Sequence, residues 1–247
     1  MRWVLLLALT ASPVLASDER CPALAQLERD LSALVTVDNG PSTGEVAAAL
    51  ASLTAVAVFD HELQRSGEGR LPDGLEHLEP GGRVAAANAV AATLALGGLT
   101  VGNRRVMVGG LTLLEGNILL GLALDASKHA FGRARPHEAH AGDLRQGGDS
   151  MPSSHAAHAF LIAAVLDATF DTPAVRWPAY ALASGVALER IQEGVHFPTD
   201  VIVGGALGWW IGHRLAVSHE LRTGTGRLRV AWLPVAGGGG VVVQASW

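Results

Sequence analysis

The sequence predicts an all-α fold, a helical bundle of about six apolar helices with a short C-terminal β-hairpin. Three observations support this. Hydrophobic residues make up 49% of the 247 and charged residues only 17%. Ala, Leu, Val and Gly fill long segments that lack the strict alternation of half-buried strands. Proline sits at the edges of those segments, where a helix tolerates it.

The elements follow in chain order. Met1 and Arg2, the apolar run Trp3–Leu9 and the small-residue site Val14-Leu15-Ala16 predict a signal peptide over residues 1–16. Residues 17–83 form a polar N-terminal segment with one helix, Val46–Phe59, and a linker, Ser66–Arg83. The helical core, residues 84–218, holds the segments Val84–Gly102, Val106–Leu124, His155–Phe170, Trp177–Leu188 and Val201–Gly212. Several are apolar on nearly every side, the pattern of helices buried in a bundle or in lipid. His137–Asp149 is a polar loop of the kind that covers a site. In the tail, 219–247, Arg227–Leu233 alternates, Pro234 and Gly237–Gly240 supply a turn, and Val241–Trp247 is β-prone.

Composition also excludes some functions. A net charge of −5 argues against a nucleic-acid binder that relies on a broad basic field. The single cysteine, Cys21, excludes a disulfide framework and cysteine-rich zinc modules. Of the 18 basic residues, Lys128 is the one lysine. A chain that writes Arg everywhere else places a compact point charge there.

Polar residues gather at three apolar helix ends. Lys128 and Arg135 lie seven apart, about two turns, and share a face if the helix begun at Val106 persists until Pro136 stops it. The plain alternative, for Arg133 or Arg135 alone, is a cation complementing a helix C-terminus. Pro152-Ser153-Ser154-His155 opens the next helix; Ser153 suits an N-cap, and the amides behind it suit an anion. In Glu189-Arg190 and His196-Phe197-Pro198-Thr199-Asp200, Pro198 suits a first helical position and puts Asp200 in the first turn. His196 and Asp200, four apart, let a carboxylate hold one ring nitrogen and leave the other free. Three cations, a helix start, two histidines and a carboxylate suit phosphoryl transfer, which is mostly positioning and charge neutralisation.

Order and spacing of these motifs resemble the type 2 phosphatidic acid phosphatase and vanadium haloperoxidase superfamily. Its pattern is Lys, six residues, Arg-Pro; then Pro-Ser-Gly-His; then Ser-Arg, five residues, His, three residues, Asp. The likeness runs from about Val84 to Arg214. Two positions depart from it: Ser154 stands for the glycine, which would crowd an amide approaching phosphate, and Glu189 stands for the serine, with its charge expected to face away.

The resemblance implies a helical exported phosphatase acting through a phosphohistidine. His196 would attack phosphorus, Asp200 would orient it, and His155 would protonate the leaving oxygen and then activate water. Lys128, Arg135, Arg190 and the amides near Ser153 and Ser154 would bind the phosphoryl oxygens. It implies no cofactor and no metal, with vanadate as an inhibitor. His129, His137, His140 and His158 read as solvated residues, since zinc wants more convergent ligands than these offer.

The implied substrate is a phosphomonoester or pyrophosphate, of phosphatidate or polyprenyl diphosphate type, with no nucleic acid as partner. Val84–Asn103 holds twenty residues without a charge, enough to span a bilayer. With the signal removed, entry at Val84 puts Arg104 and Arg105 inside and the motif-bearing loops outside. This gives an inner-membrane enzyme with a periplasm-facing site. The competing pictures are a soluble periplasmic non-specific acid phosphatase and, disfavoured by the short chain, a vanadium-dependent haloperoxidase.

Overall fold

The computed structural model describes residues 22–35, 43–69, 82–221, 227–235 and 238–246; the expected signal peptide, Cys21 and most of the Ser66–Arg83 linker lie outside them. The fold is a bundle of helices, as the sequence predicts. Those among the described residues are α1 (Pro22–Val35), α2 (Thr43–Val58), α3 (Asp60–Gly67), α4 (Val84–Thr100), α5 (Arg104–Phe131), α6 (Ser154–Phe170), α7 (Pro173–Gln192) and α8 (Pro198–Ser218). Two of these, α1 and α3, match none of the expected segments, because both are polar enough to hide among loop residues. Beyond α8, strands β1 (Arg227–Val235) and β2 (Gly238–Ser246) pair antiparallel, with Trp232 opposite Val241.

α6 is the central element, packed most extensively on α8 and then on α7 and α5. Leu113, Leu120 and Leu124 of α5 meet Leu161 and Val165 of α6 and Ile211 and Leu215 of α8 in the main core. The α6–α8 seam is made by backbone rather than by side chains. A Cβ on Gly208 would lie 1.9 Å from the Ala157 carbonyl oxygen, and one on Gly204 would lie 2.3 Å from that of Ser153. Small residues four apart let helices approach this closely, and the approach sets the start of α6 against the start of α8.

α5 ends earlier than expected. Gly132 takes the left-handed conformation (φ 54°) and its N–H bonds the Lys128 carbonyl at 2.8 Å, so a glycine C-cap stops the helix four residues before Pro136. Arg135 therefore lies on the loop, not on the helix face shared with Lys128. The chain then folds back on itself: Arg145 and Gln146 donate to the carbonyls of Phe131 and Gly132, and Ser150 donates to that of Arg133. The segment 137–149 is part of a hydrogen-bonded return, not an open flap.

Gly208→Val should lower stability by about 1–3 kcal/mol through overpacking of the seam. Gly121→Ala, where an added Cβ meets nothing within 4 Å, should hold or raise it. Thermal unfolding of the purified variants checks both.

Candidate active site

α8 begins where the sequence places it. Phe197 is extended, Pro198 supplies the first helical φ, and Asp200 accepts the Phe197 N–H at 2.9 Å. Asp200 is fully buried. Its oxygens also accept from Arg133 Nη1 at 2.7 Å and Ser150 Oγ at 2.6 Å. A carboxylate stripped of water survives only with such partners.

Arg133 is the centre of this network. Its Nη2 donates to Asp60 at 2.8 Å, Nη1 to Thr199 Oγ1 and Asp200, both at 2.7 Å, and Nε to the Gly142 carbonyl at 3.1 Å. Its guanidinium lies 4.3 Å from the centre of the Phe197 ring. Asp60 in turn accepts the Thr199 N–H at 3.0 Å and the Thr199 hydroxyl, which ties α3 to the start of α8. Asp60, Arg133, Ser150 and Thr199 are the residues that sequence reasoning missed. Arg133 lies inside the first motif, where it read as a charge at a helix end. Asp60 is 73 residues away, with nothing local to mark it.

His196 is 3% exposed and turns Nδ1 towards Asp200 Oδ2 at 3.6 Å, an ion-pair distance slightly longer than a hydrogen bond. That orientation leaves Nε2 on the far side of the ring. Burial pushes the His196 pKa down, with Asp200 opposing it and the Arg135 and Lys128 charges adding to it. Gly194 (φ 68°) makes the turn between α7 and α8, and the His196 N–H reaches the Arg190 carbonyl at 3.3 Å.

Lys128, on the last turn of α5, and Arg135, on the loop, converge on Asp149. Lys128 Nζ lies 3.7 Å from Oδ2, and Arg135 contacts both carboxylate oxygens at 2.8 and 3.1 Å. Arg135 holds the Asp149 carboxyl below the usual carboxylate range. Arg190 is buried on α7 and ion-paired to Glu189 at 3.0 Å and Glu193 at 2.8 Å. Glu189, expected to face away, is itself buried against Arg190, because a guanidinium at 6% exposure needs a counter-charge. Each predicted cation thus has a carboxylate neighbour.

At the start of α6, the Ser153 N–H donates to the Asp200 carbonyl at 2.9 Å. Ser153 holds the N-cap position, but its side chain makes no cap bond; the hydroxyl is buried with no hydrogen-bond partner. Ser154 is the first helical residue, and its carbonyl meets His158 Nδ1 at 2.7 Å. His158 is 2% exposed, so the expectation of a solvated residue was wrong; α6 is covered on the side it occupies. His129, His137 and His140 are exposed. His155 lies in the first turn of α6, partly buried.

Among the described residues, one trio has ligand atoms close enough for a metal: Asp30, Glu115 and His219, within 4.8 Å of one another. His219 follows α8 at its far end, about 30 Å of helix from Pro198.

Two outcomes test this geometry. Arg133→Met strands Asp60 and Asp200 as buried unpaired carboxylates and should cost about 3–5 kcal/mol, read as a lower unfolding midpoint. Asp149→Asn releases Lys128 and Arg135 and should tighten inorganic phosphate binding several-fold by calorimetry. The gain should hold at neutral pH and vanish only in strong acid, as the native Asp149 protonates through its lowered pKa.

A family model described as the PAP2 superfamily matches residues 109–223. The lipid A 1-phosphatase of Porphyromonas gingivalis is 32% identical over 99 residues, an alignment covering 39% of this chain and 21% of that protein. The chain therefore aligns with about a fifth of that relative's length. The crystal structure of the first transmembrane PAP2 type phosphatidylglycerolphosphate phosphatase from Bacillus subtilis matches 80% of this chain and 95% of its own, at 16% identity and a TM-score of 0.39. The motif resemblance and the family match coincide: residues 109–223, which the PAP2 superfamily model matches, hold all three motifs.

Proposed function

We propose that the chain is an exported membrane phosphatase that hydrolyses phosphate or diphosphate groups on lipids through a phosphohistidine on His196. The observation that carries this reading is the buried His196–Asp200 pair beside Lys128 and Arg135. Nε2 of neutral His196 attacks phosphorus, and the bond to the leaving oxygen breaks as His155 protonates it. His155 then takes a proton from water, which attacks phosphorus, and the P–N bond breaks to release phosphate and His196. Lys128, Arg135, Arg190 and the helix-start amides at Ser153 and Ser154 neutralise the oxygens of the transition state. The three cations carry the charge, so the reading requires no metal, and vanadate should inhibit by occupying the same place.

The bundle's outer face supports a bilayer setting. Leu96 and Leu99 of α4, Ile118 and Leu122 of α5, and Trp177 and Leu182 of α7 are all exposed. α5, at 28 residues, is long and apolar enough to cross a membrane. Arg105, at the end of α5 opposite Lys128, donates to the carbonyls of Ala168, Thr169 and Leu221, and it falls on the inner side in the orientation that puts the site outside.

His196→Ala should abolish turnover of phosphatidate in detergent while the unfolding midpoint stays near that of the parent; His155→Ala should cost about 10²–10⁴-fold. Since burial lowers the His196 pKa, neutral imidazole persists into acid. The acid limb of kcat/KM should therefore fall off below the ordinary 6.5 of imidazole. Retained activity in His196→Ala refutes the nucleophile assignment, and recovery without detergent in the soluble fraction refutes the membrane setting.

A further inference from the structure

α7 and α8 both pack on α6 but touch each other little, so they splay and leave an open groove between them. Its volume is about 580 Å³, within the range of small-molecule sites. Phe160 of α6 forms the floor. Gly205 makes room for that ring, since a Cβ there would lie 3.0 Å from it. The lining is almost wholly apolar, which favours hydrocarbon over any head group. The groove's two ends settle its occupant. At one end Ile191 and Pro198 bracket the α7–α8 turn that carries His196. At the other, Trp209 Nε1 donates to the Tyr180 hydroxyl at 3.1 Å across the gap. From Pro198 to Trp209 is eleven residues of helix, about 16 Å.

We propose that this groove holds a hydrocarbon chain of the substrate, entering sideways from the bilayer, with its phosphate at Lys128, Arg135 and His196. The proposal rests on the phosphatase reading and adds where the lipid lies and why a lipid is preferred. A chain in the groove leads its ester towards the His196 turn, so apolar burial far from phosphorus helps to hold the reacting atoms in place.

Ala206 and Ser184 are exposed on facing walls of the groove, so Ala206→Phe and Ser184→Phe should fill it without disturbing the core. In one detergent, kcat/KM is measured for dioleoyl phosphatidate and for p-nitrophenyl phosphate. The ratio of lipid to soluble ester should fall about tenfold or more in either variant. An unchanged ratio in both overturns the proposal, as does a parent that cleaves only the soluble ester. A second readout is independent of turnover: phosphatidate with brominated chains should quench tryptophan fluorescence in the catalytically silent His196→Ala protein, and Trp209→Phe should remove most of that quenching. Quenching with no hydrolysis of either ester by the parent sinks the phosphatase reading and leaves the groove standing; quenching that ignores Trp209 sinks the groove.

Discussion

The site depends on one buried guanidinium. Arg133 spends its donors on Asp60, Thr199, Asp200 and the Gly142 carbonyl, and its flat face on Phe197. Four stretches distant in sequence, α3, the end of α5, the return loop and the start of α8, thereby meet at one point. Lysine cannot replace it, because the task needs a rigid fork with donors in several directions rather than a mobile point charge. Breaking the network leaves two carboxylates without water and without counter-charge, far costlier than the loss of a surface ion pair. His196 owes its orientation to this arrangement, since the Asp200 carboxylate it faces is held by Arg133 on one oxygen and by Ser150 on the other.

A second ordering acts through backbone. The Ser153 N–H to Asp200 carbonyl bond requires α8 to lie close on α6, and Gly204 and Gly208 allow that approach. The start of α6 and the imidazole are thus parts of one seam. Charge is arranged just as locally. Asp149 neutralises Lys128 and Arg135, and Glu189 and Glu193 neutralise Arg190. In a chain with net charge −5 these cations act over a few ångströms rather than through a long-range basic field.

Much of this was legible in the sequence, for definite reasons. Long apolar segments without alternation have few options besides helix, so α2, α4, α5, α6, α7 and α8 could be read directly. Pro198 and Asp200 announced the start of α8 because capping is a local matter. What failed was non-local or subtle. The end of α5 was assigned to Pro136 although Gly132, free to take a positive φ, stops it first. Glu189 was expected outside because its partner's burial could not be seen. Arg133 looked like ordinary helix-end charge, and Asp60 carried no signal, since only the tertiary fold brings its helix to α8.

The glycine-lined seam has a consequence for how this sequence can drift. Where two backbones touch, there is no side chain to trade volume with a neighbour, so no compensating change across the contact can rescue a larger residue. Away from that seam α8 packs through side chains, as Ile211 and Leu215 do in the main core, and there a change on one helix can be matched on its neighbour. α8 is therefore two texts written on one cylinder, the glycine strip and the Asp200 turn nearly fixed letter by letter, the rest open to revision where its neighbours change with it.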